Sequence, residues 1–417
     1  MLDIKFIREN PDKVKKACTD KNFDPVQVDN LLVVDTRRRE LIIQVEKLRQ
    51  DRNILNEELK KSRTPELLKQ AAKMKEEVKL LENQQQEVEL DYLEKLNLIP
   101  NLPSDKTPRG KSEKDNVEIR RWGKPTEFDF EPKDHVKLGM DLGILDFETG
   151  AKVSGSQFYY LYRGGALLEL ALVRFAFDFL SKEGFIPVIT PDLARSRYYL
   201  GTGYAPKGDE AQTYTIENED LGLIATAEVT LAGKHADETI PESKLPIKYI
   251  GYSHCFRQEA GAYGKYSKGL YRVHQFTKAE MFIYCSPEES DRYHEHILEM
   301  EEKLYQALGL PYRVLEMCTG DLGTMAARKF DVEAWIPSRN DYGEVTSTSN
   351  CTDYQSRNLD IRFRRKSGET DYLHMLNGTA IATSRTPLAI LENYQQKDGS
   401  IKVPTVLIPY MGTSVIK

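Results

Sequence analysis

A sustained heptad repeat runs through residues 26–99, a stretch with one proline and no glycine. Apolar or long side chains recur at alternating intervals of four and three residues, first from Val34 to Leu59 and again from Leu67 to Tyr92. This 3.5-residue period is typical of coiled-coil seams. Between the two stretches, Thr64 is placed to cap a second helix and Pro65 to begin it. We therefore predict two antiparallel helices of about 35 residues, each on the order of 50 Å long, that project into solvent.

Charge is unevenly distributed along this predicted hairpin. Residues 60–79 carry seven Lys or Arg and three Glu, whereas residues 82–94 carry five carboxylates and no basic side chain. A charged, solvated surface is common on coiled coils, but clustered cations also bind nucleic-acid backbones. Composition alone leaves both interpretations of the basic segment open.

Three prolines and a glycine between residues 97 and 110 mark a boundary. We expect an N-terminal domain over residues 1–104 and a second domain over residues 105–417. The 417-residue chain is long enough for two or three domains.

Composition excludes several classes of protein. The net charge of −6 argues against a uniformly basic nucleic-acid coat, and no apolar run approaches the ~18 residues of a membrane helix. The N-terminus lacks the apolar core of a signal peptide. Five widely spaced cysteines without a CxxC pair fit neither a disulfide framework nor a cysteine zinc site, so we expect a reducing cytoplasm and no membrane partner.

The second domain lacks the familiar nucleotide-binding motifs. It has no GxxxxGK[ST] sequence, and Gly201-Thr-Gly203 lacks the third glycine of a dinucleotide loop. Polar side chains instead recur at even spacing in predicted strands: Thr226 with Glu228, Arg257 with Glu259, and Phe276 with Glu280. Such pairs share one face of a strand. One pair alone is usually a surface salt bridge, but their recurrence indicates a single polar floor.

Two further segments carry chemistry. Glu344–Asn350 combines a carboxylate with hydroxyls, the hard oxygen ligands that Mg²⁺ prefers, although a Thr/Ser-rich edge strand is equally consistent with it. Glu344 and Ser347 differ in parity, so they can face one metal only if the strand bends or bulges. Arg385 precedes a helix predicted from Pro387, where a phosphate would also meet the helix N-terminus.

At these residues a family resemblance becomes specific. Arg257-Gln258-Glu259 with Phe276 resembles motif 2 of class II aminoacyl-tRNA synthetases, Asn377–Arg385 resembles motif 3, and Phe185–Pro191 resembles motif 1. Thr226-Ala227-Glu228, Gly201-Thr-Gly203, Glu344–Ser347 and the long hairpin together resemble the seryl-tRNA synthetase family within that class. The match covers essentially the whole chain in the expected order.

The resemblance implies an α+β fold: an antiparallel-sheet class II catalytic domain with an N-terminal antiparallel coiled-coil hairpin. It also implies a homodimer formed partly through motif 1, and an arm that grips tRNA-Ser. The implied reaction is attack of the serine carboxylate on the α-phosphorus of ATP, which gives seryl-adenylate, followed by transfer to tRNA. Whether tRNA-Sec is also a substrate is left open.

The resemblance also assigns residues to roles. Arg257 and Arg385 are implied to be catalytic, at the α- and γ-phosphates of ATP, with Glu259 on the adenine amino group and Phe276 under the ring. The remaining implied ATP contacts are Gln258, Val273, Glu344, Val345, Thr346 and Ser347. Glu344 and Ser347 are the implied Mg²⁺ ligands. The implied serine-binding residues are Thr226, Ala227, Glu228, Glu280 and Thr379. The implied tRNA contacts are Lys60, Lys61, Arg63, Lys69 and Lys73. His254 and His274 are interpreted as structural.

Two alternatives remain at this point. An amino acid:carrier-protein ligase would resemble the catalytic domain but lack the complete hairpin. A scaffold with an inactive enzyme-like domain would have lost Arg257, Glu280 or Arg385, and all three are present. The sequence departs from the family pattern at Tyr266-Ser267-Lys268 in the motif 2 loop and at Thr383-Ser384 before Arg385.

Overall fold

The computed structural model describes residues 1–204, 213–259 and 269–417. The chain divides into two compact units, Met1–Pro100 and Asn101–Lys417. Tyr266-Ser267-Lys268 lies outside the described residues. All five cysteines are buried free thiols. Within the described ranges, no helix has the length and apolar character needed to cross a bilayer.

The first unit is entirely helical in its regular structure. Its helices are α1 (Ile4–Glu9), α2 (Pro11–Asp20), α3 (Val26–Lys61) and α4 (Pro65–Asn97). The Thr64 hydroxyl accepts a hydrogen bond from the Leu67 backbone N–H at 3.3 Å, and Pro65 begins α4, as predicted. Two ion pairs, Arg38–Glu89 and Arg49–Glu82, link α3 to α4 with residue numbers running in opposite directions. The predicted antiparallel helical hairpin is therefore confirmed.

The heptad positions form the contact between these helices. Leu41, Val45 and Leu55 of α3 and Val78 of α4 are buried, and the other predicted seam residues are at least partly buried. The Arg38 guanidinium lies 4.5 Å from the centre of the Tyr92 ring. Arg38, a long seam side chain, thus packs on the partner helix through its guanidinium and pairs there with Glu89.

The second unit is an α+β domain. Its helices are α5 (His135–Asp141), α6 (Phe147–Ser154), α7 (Arg163–Lys182), α8 (Ser196–Gly201), α9 (Ala227–Gly233), α10 (Ser290–Ala307), α11 (Tyr354–Leu359), α12 (Arg385–Asn393) and α13 (Ile408–Met411). Its strands are β1 (Val117–Trp122), β2 (Leu145–Asp146), β3 (Tyr160–Leu161), β4 (Ile186–Ile189), β5 (Leu193–Ala194), β6 (Gly222–Leu223), β7 (Thr239–Pro241), β8 (Ile247–Phe256), β9 (Gln275–Cys285), β10 (Tyr312–Glu316), β11 (Arg328–Ile336), β12 (Asp341–Asn350), β13 (Arg362–Arg364), β14 (Thr370–Tyr372), β15 (His374–Ala382), β16 (Ile401–Lys402) and β17 (Val415–Ile416).

Among the described residues, eight strands form the main sheet in the order β1-β10-β11-β12-β15-β9-β8-β4. Neighbours are antiparallel except at the edge, where β4 runs parallel to β8. The sheet has apolar side chains on both faces. On β9, Met281 and Ile283 join a core with α7, α10 and α12, whereas Phe282 and Tyr284 join a second core with α9. Two buried faces fix the strand register, because a one-residue slip would exchange them.

Two of the bulges in this sheet lie near each other, on the adjacent strands β12 and β15. On β12, Glu344 pairs with Glu333 and Thr346 with Val332, which leaves Val345 as an extra residue. On β15, Thr379 pairs with Glu280 and Ile381 with Ala279, which leaves Ala380 extra. Because each extra residue reverses the alternation of the strand, the bulges change which side chains face α9 and which face α10.

Candidate active site

A cavity of about 280 Å³ opens beside the two bulges. Its walls come from β9, β11, β12 and β15, from α9 and the first turn of α12, and from loop residues 322–326. The predicted site residues that line it are Glu228, Arg257, Glu259, Val273, Phe276, Glu280, Glu344, Val345, Thr346, Ser347, Thr379 and Arg385. Side chains from positions 228 to 385 therefore converge on one cleft.

One wall of the cavity is the alternating face of β9. Phe276, Lys278 and Glu280 all line it, as two-residue spacing requires. The Lys278 ammonium forms an ion pair with Glu280, and these side chains are only 7% and 2% exposed. The Thr379 hydroxyl on the adjacent strand accepts from Lys278 Nζ at 3.3 Å and donates to Glu280 Oε2 at 3.2 Å. Glu280 is thus a buried carboxylate that already has a cation.

Glu228 is the second buried carboxylate of the cavity and lies across it from Glu280. It accepts hydrogen bonds from the Tyr204 hydroxyl at 2.9 Å, from Gln355 Nε2 at 2.7 Å and from Asn377 Nδ2 at 2.9 Å. Burial raises its pKa to about 7, with the nearby Glu280 charge acting in the same direction. Glu228 is therefore held by neutral donors in a place that favours a positive ligand.

The structure corrects the sequence prediction for the segment before Glu228. Thr226 and Glu228 do not lie in a strand: Thr226 caps α9, and its hydroxyl accepts from the Glu228 backbone N–H at 3.2 Å. Neither Thr226 nor Ala227 lines the cavity; both are fully buried, and Ala227 belongs to the α9 core. Thr226 and Ala227 instead position Glu228, because the Thr226 cap fixes the first turn of α9, which carries the Glu228 side chain.

Arg257 and Glu259 lie just beyond the end of β8, so the prediction that they share a strand is also wrong. The Arg257 guanidinium lies 5.2 Å from the centre of the Phe276 ring. Glu259 has a left-handed backbone (φ 50°), and its Oε2 is 2.8 Å from Arg272 Nη1. Gln258 turns away from the cavity and donates to the Thr213 carbonyl at 2.9 Å. The next long strand, β9, begins at Gln275.

The histidines nearby have the structural contacts predicted for them. His274 Nδ1 is 2.8 Å from the Arg257 carbonyl oxygen, and the Arg257 backbone N–H donates to the His274 carbonyl at 3.0 Å. His254 Nδ1 is 2.8 Å from Asp192 Oδ2. These contacts hold the backbone on both sides of the loop that carries Arg257.

At the other end of the cavity, the bulge at Val345 resolves the parity problem of β12. With Val345 extra, Glu344 and Ser347 pair with Glu333 and Asp331, two residues apart on β11, and so point to one face. The Thr346 hydroxyl donates to the Thr379 carbonyl, which ties the two bulged strands together. The bulge that Glu344 and Ser347 would need in order to face one metal is therefore present.

Arg385 stands at the N-terminus of a helix, as predicted, although α12 begins at Arg385 itself and not at Pro387. Its side chain lies against this segment of β12. Its Nη1 is 2.9 Å from Glu344 Oε2, and its guanidinium lies 4.9 Å from the centre of the Tyr271 ring. Burial alone would raise the pKa of Glu344, but the charges of Arg385, Lys329 and Arg257 outweigh it and lower that pKa to about 2. Glu344 is therefore ionised at any physiological pH.

The donor set fits Mg²⁺ bound in its usual manner beside phosphates. No group of three or more His, Cys, Asp or Glu suited to a metal occurs in the described ranges. Mg²⁺ is commonly held by one or two carboxylates together with substrate phosphates and water. An ionised Glu344 and the Ser347 hydroxyl on the same face supply that partial shell.

Both units of the chain match models of known protein families. A model of the seryl-tRNA synthetase N-terminal domain matches residues 1–103, and a model of the class II tRNA synthetase core domain (G, H, P, S and T) matches residues 213–394. A serine–tRNA ligase of Dictyoglomus turgidum is 54% identical over 100% of this chain and 99% of its own length. One of Rubrobacter xylanophilus is 51% identical with the same coverage.

This chain belongs to the seryl-tRNA synthetase family. The crystal structure of seryl-tRNA synthetase from Pyrococcus horikoshii complexed with ATP is 44% identical, with a TM-score of 0.89 over 100% of this chain and 99% of that one. The cytoplasmic serine-tRNA ligase of Naegleria fowleri, in complex with AMP, is 36% identical with a TM-score of 0.84 and the same coverage. The family fold expected from the sequence is confirmed.

The sequence did not reveal several residues that line the cavity or contact Glu228. Lys278 shares the parity of Phe276 and Glu280 and could have been found by extending that face by one step. Asn377 lies in the segment that resembles motif 3, but nothing in its spacing links it to Glu228. Tyr204 and Gln355 come from separate loops and helices, and no local pattern connects them to the site.

The predicted tRNA contacts lie around the turn between α3 and α4. Lys60 pairs with Glu57, and Lys73 lies 3.6 Å from Glu77. Lys61, Arg63 and Lys69 are exposed and have no carboxylate partner in the parts of the chain that the structure describes. Those three cations are available to a polyanion.

Proposed function

We propose that this protein attaches L-serine to tRNA-Ser, using ATP and a seryl-adenylate intermediate. The proposal rests on the contents of a single cleft. One end has cations and a helix N-terminus, which suit phosphates, and the other end has two buried carboxylates, which suit the polar groups of a small amino acid. The relatives that match the whole chain are serine–tRNA ligases. A carrier-protein ligase is not favoured, because residues 1–103 match the tRNA synthetase N-terminal domain.

ATP is proposed to lie along the wall formed by Arg257, Phe276 and Arg385. The P. horikoshii relative was crystallised with ATP, and the N. fowleri relative with AMP. Phe276 offers its ring to the adenine, and Glu259 offers a carboxylate to the adenine amino group. Val273 and Val345 close the cavity with apolar contacts.

The two arginines supply the electrostatics of the first step. The serine carboxylate attacks the α-phosphorus, and negative charge builds on the phosphate oxygens as pyrophosphate leaves. Arg257 is placed to stabilise that charge, and Arg385, at the start of α12, is placed for the γ-phosphate. The nucleophile is already ionised, so no general base is needed and catalysis rests on positioning.

Mg²⁺ is the proposed metal, held by Glu344 and Ser347. When bound it would neutralise phosphate charge. Glu344 already carries its charge in the absence of metal because of Arg385. Thr346 contributes indirectly by tying β12 to β15.

The amino-acid pocket recognises serine through its hydroxyl. Glu280 is a buried acceptor whose contacts with Lys278 and Thr379 both fall on Oε2. A bound alanine would bring no hydroxyl to this carboxylate, and sites of this kind can discriminate by ~10⁴. Glu228 is placed for the serine ammonium, and Thr379 for the side chain. Thr226 and Ala227 support Glu228 from the cap of α9.

Substitution of Glu280 tests this assignment. We expect Glu280→Ala to reduce serine-dependent pyrophosphate exchange at least 100-fold and to narrow the serine/alanine preference, because the hydroxyl loses its acceptor. Glu333 is a carboxylate on β11, a strand of the same sheet, and it does not line the cavity, so Glu333→Ala is the control variant and should keep the preference. A Glu280→Ala enzyme with near-normal serine KM would refute the role.

The first unit is proposed to bind tRNA. The exposed cations at the α3–α4 turn are proposed to contact the tRNA backbone.

A homodimer is also proposed. It is supported by apolar side chains that are exposed on edge strand β4 (Ile186, Ile189) and on α7 (Leu167, Leu170). We propose a cytoplasmic location, consistent with five free cysteines.

A further inference from the structure

The described part of the amino-acid pocket, lined by Glu228, Lys278, Glu280, Asn377 and Thr379, has two buried carboxylates and one lysine. Lys278 Nζ contacts Glu280 and the Thr379 hydroxyl, all within the buried wall formed by β9 and β15. Glu228, across the pocket, contacts the neutral groups of Tyr204, Gln355 and Asn377. No cation within hydrogen-bond distance of Glu228 occurs in the described ranges. Of these two carboxylates, Glu228 is therefore the one without an ion-pair partner among the described residues.

A buried charge is costly unless it is paired. At the Glu280 end the protein supplies the pairing charge, so a ligand group there meets a neutral ion pair. At the Glu228 end the pairing charge is left to the ligand. An α-amino acid with an uncharged side chain satisfies both ends in only one orientation.

We propose that Lys278 is a specificity-determining residue: by neutralising Glu280 it reserves Glu228 for the substrate ammonium and makes the side-chain end of the pocket select a neutral hydrogen-bond donor. The inference rests on the proposed serine activation and adds a residue to it. It explains why two similar carboxylates in one small pocket can take different parts of the same amino acid.

The Thr379 hydroxyl completes this arrangement. It accepts from Lys278, so its own proton points to Glu280 Oε2. The Lys278 ammonium and the Thr379 hydroxyl therefore both contact Oε2 of Glu280. The carboxylate can still accept a hydrogen bond from a ligand hydroxyl. A side-chain ammonium in the same place would meet the Lys278 charge and be repelled.

The test compares serine with L-2,3-diaminopropionate, which carries an amine in place of the hydroxyl, in pyrophosphate exchange by the full-length enzyme. Lys278→Met keeps a long side chain but removes the charge. We expect its kcat/KM for serine to fall at least 100-fold and the serine/diaminopropionate ratio to fall at least 100-fold, because both ends of the pocket then attract an ammonium. An unchanged ratio would overturn the proposal.

A second substitution separates charge from lost packing. Adding Glu280→Gln to Lys278→Met restores neutrality, so the double variant should recover much of the serine preference that Lys278→Met loses. If Lys278→Met alone fails to fold, Glu280→Gln is compared with the double variant, and the ratio should still fall when the lysine is removed. Equal ratios in that pair would also overturn the proposal.

Lys329→Met is the matched control, since Lys329 is another cavity lysine but pairs with Asp331 beside Ser347. It should alter ATP-dependent parameters and leave the serine/diaminopropionate ratio within about twofold. The wild-type enzyme separates the two proposals. Absence of serine activation by the wild type would remove the proposed function, whereas an active wild type with an unmoved ratio in Lys278→Met would remove only the role of Lys278.

Discussion

Glu228 is a carboxylate whose charge depends on pH near neutrality. Burial and the nearby charge of Glu280 raise its pKa to about 7. Gln355, Lys278 and Tyr204 act in the opposite direction and lower the pKa, but they do not outweigh burial. A carboxyl with a raised pKa is protonated below that value, and the protonated form cannot pair with an ammonium. We therefore expect serine affinity to fall up to about tenfold per pH unit below pH 7 and to level off above it.

Pyrophosphate exchange at limiting serine, measured between pH 5.5 and 8.5, checks this expectation. Glu228→Gln removes the titrating group, so it should raise the serine KM throughout and flatten the acidic limb of the profile. The ATP KM measured over the same range reports changes that do not belong to the serine pocket. An acidic limb that survives Glu228→Gln would assign the titration to another group.

Residue spacing predicts some of this pocket and misses the rest. Phe276 and Glu280 were placed on one face by two-residue periodicity, because β9 is regular between them. The same rule failed for Thr226 and Glu228, since a threonine that caps a helix has the same spacing as one in a strand. Asn377 reaches Glu228 only through the tertiary fold.

At the scale of elements, two β-bulges shape the cavity. The parity of Glu344 and Ser347 predicted a bend in β12 only on the condition that both face one metal, and the extra residue is Val345. The bulge at Ala380 in β15 was not predicted, because nothing in the sequence of this strand distinguishes a bulged strand from a regular one. Bulge positions depend on the partner strands, and a single strand does not reveal them.

The packing of α10 against β15 leads to a prediction about Gly378. A Cβ atom there would lie 2.2 Å from Ile297 Cγ2 and 2.7 Å from Glu301 Oε1, so Gly378→Ala must displace the strand or the helix. Overpacking of this kind costs about 1–3 kcal/mol. We expect a Tm lower by several degrees and a serine kcat/KM about tenfold lower, because Asn377 and Thr379 flank the glycine.

A double-mutant cycle identifies the cause. Ile297→Ala removes the nearest clashing atom, so Gly378→Ala should cost clearly less Tm and less serine kcat/KM in that background than in the wild type. Thermal unfolding and pyrophosphate exchange of the four proteins measure both effects. Strictly additive losses would show that the contact between α10 and β15 does not limit this position.

For the whole molecule, the two units differ in how far their sequences predict them. The hairpin was predicted closely, since its periodicity, cap and turn are all local. The catalytic unit gathers residues from Tyr204 to Arg385 around one cleft, and local patterns supplied only fragments of it. Family resemblance supplied the remaining assignments, including Arg257 and Arg385.

Separate units predict separable activities. Replacing residues 45–84 with a short Gly/Ser linker removes Lys60, Lys61, Arg63, Lys69 and Lys73 yet keeps the root of the hairpin, where Arg38 pairs with Glu89 and stacks on Tyr92. We expect serine-dependent pyrophosphate exchange to stay within about twofold of the wild type. Transfer of serine to tRNA-Ser should fall at least 100-fold, because the proposed backbone contacts are lost.

A charge reversal tests the same point without shortening the arm. Lys61, Arg63 and Lys69, each changed to Glu, should raise the tRNA KM at least tenfold and make tRNA binding less dependent on salt, because fewer counterions are released. The matched control changes three exposed lysines of the catalytic unit, Lys124, Lys182 and Lys244, to Glu. If both triple variants weaken tRNA binding equally, net charge accounts for the effect and the turn has no special role. If the deletion abolishes pyrophosphate exchange as well, the two units do not act as separate modules.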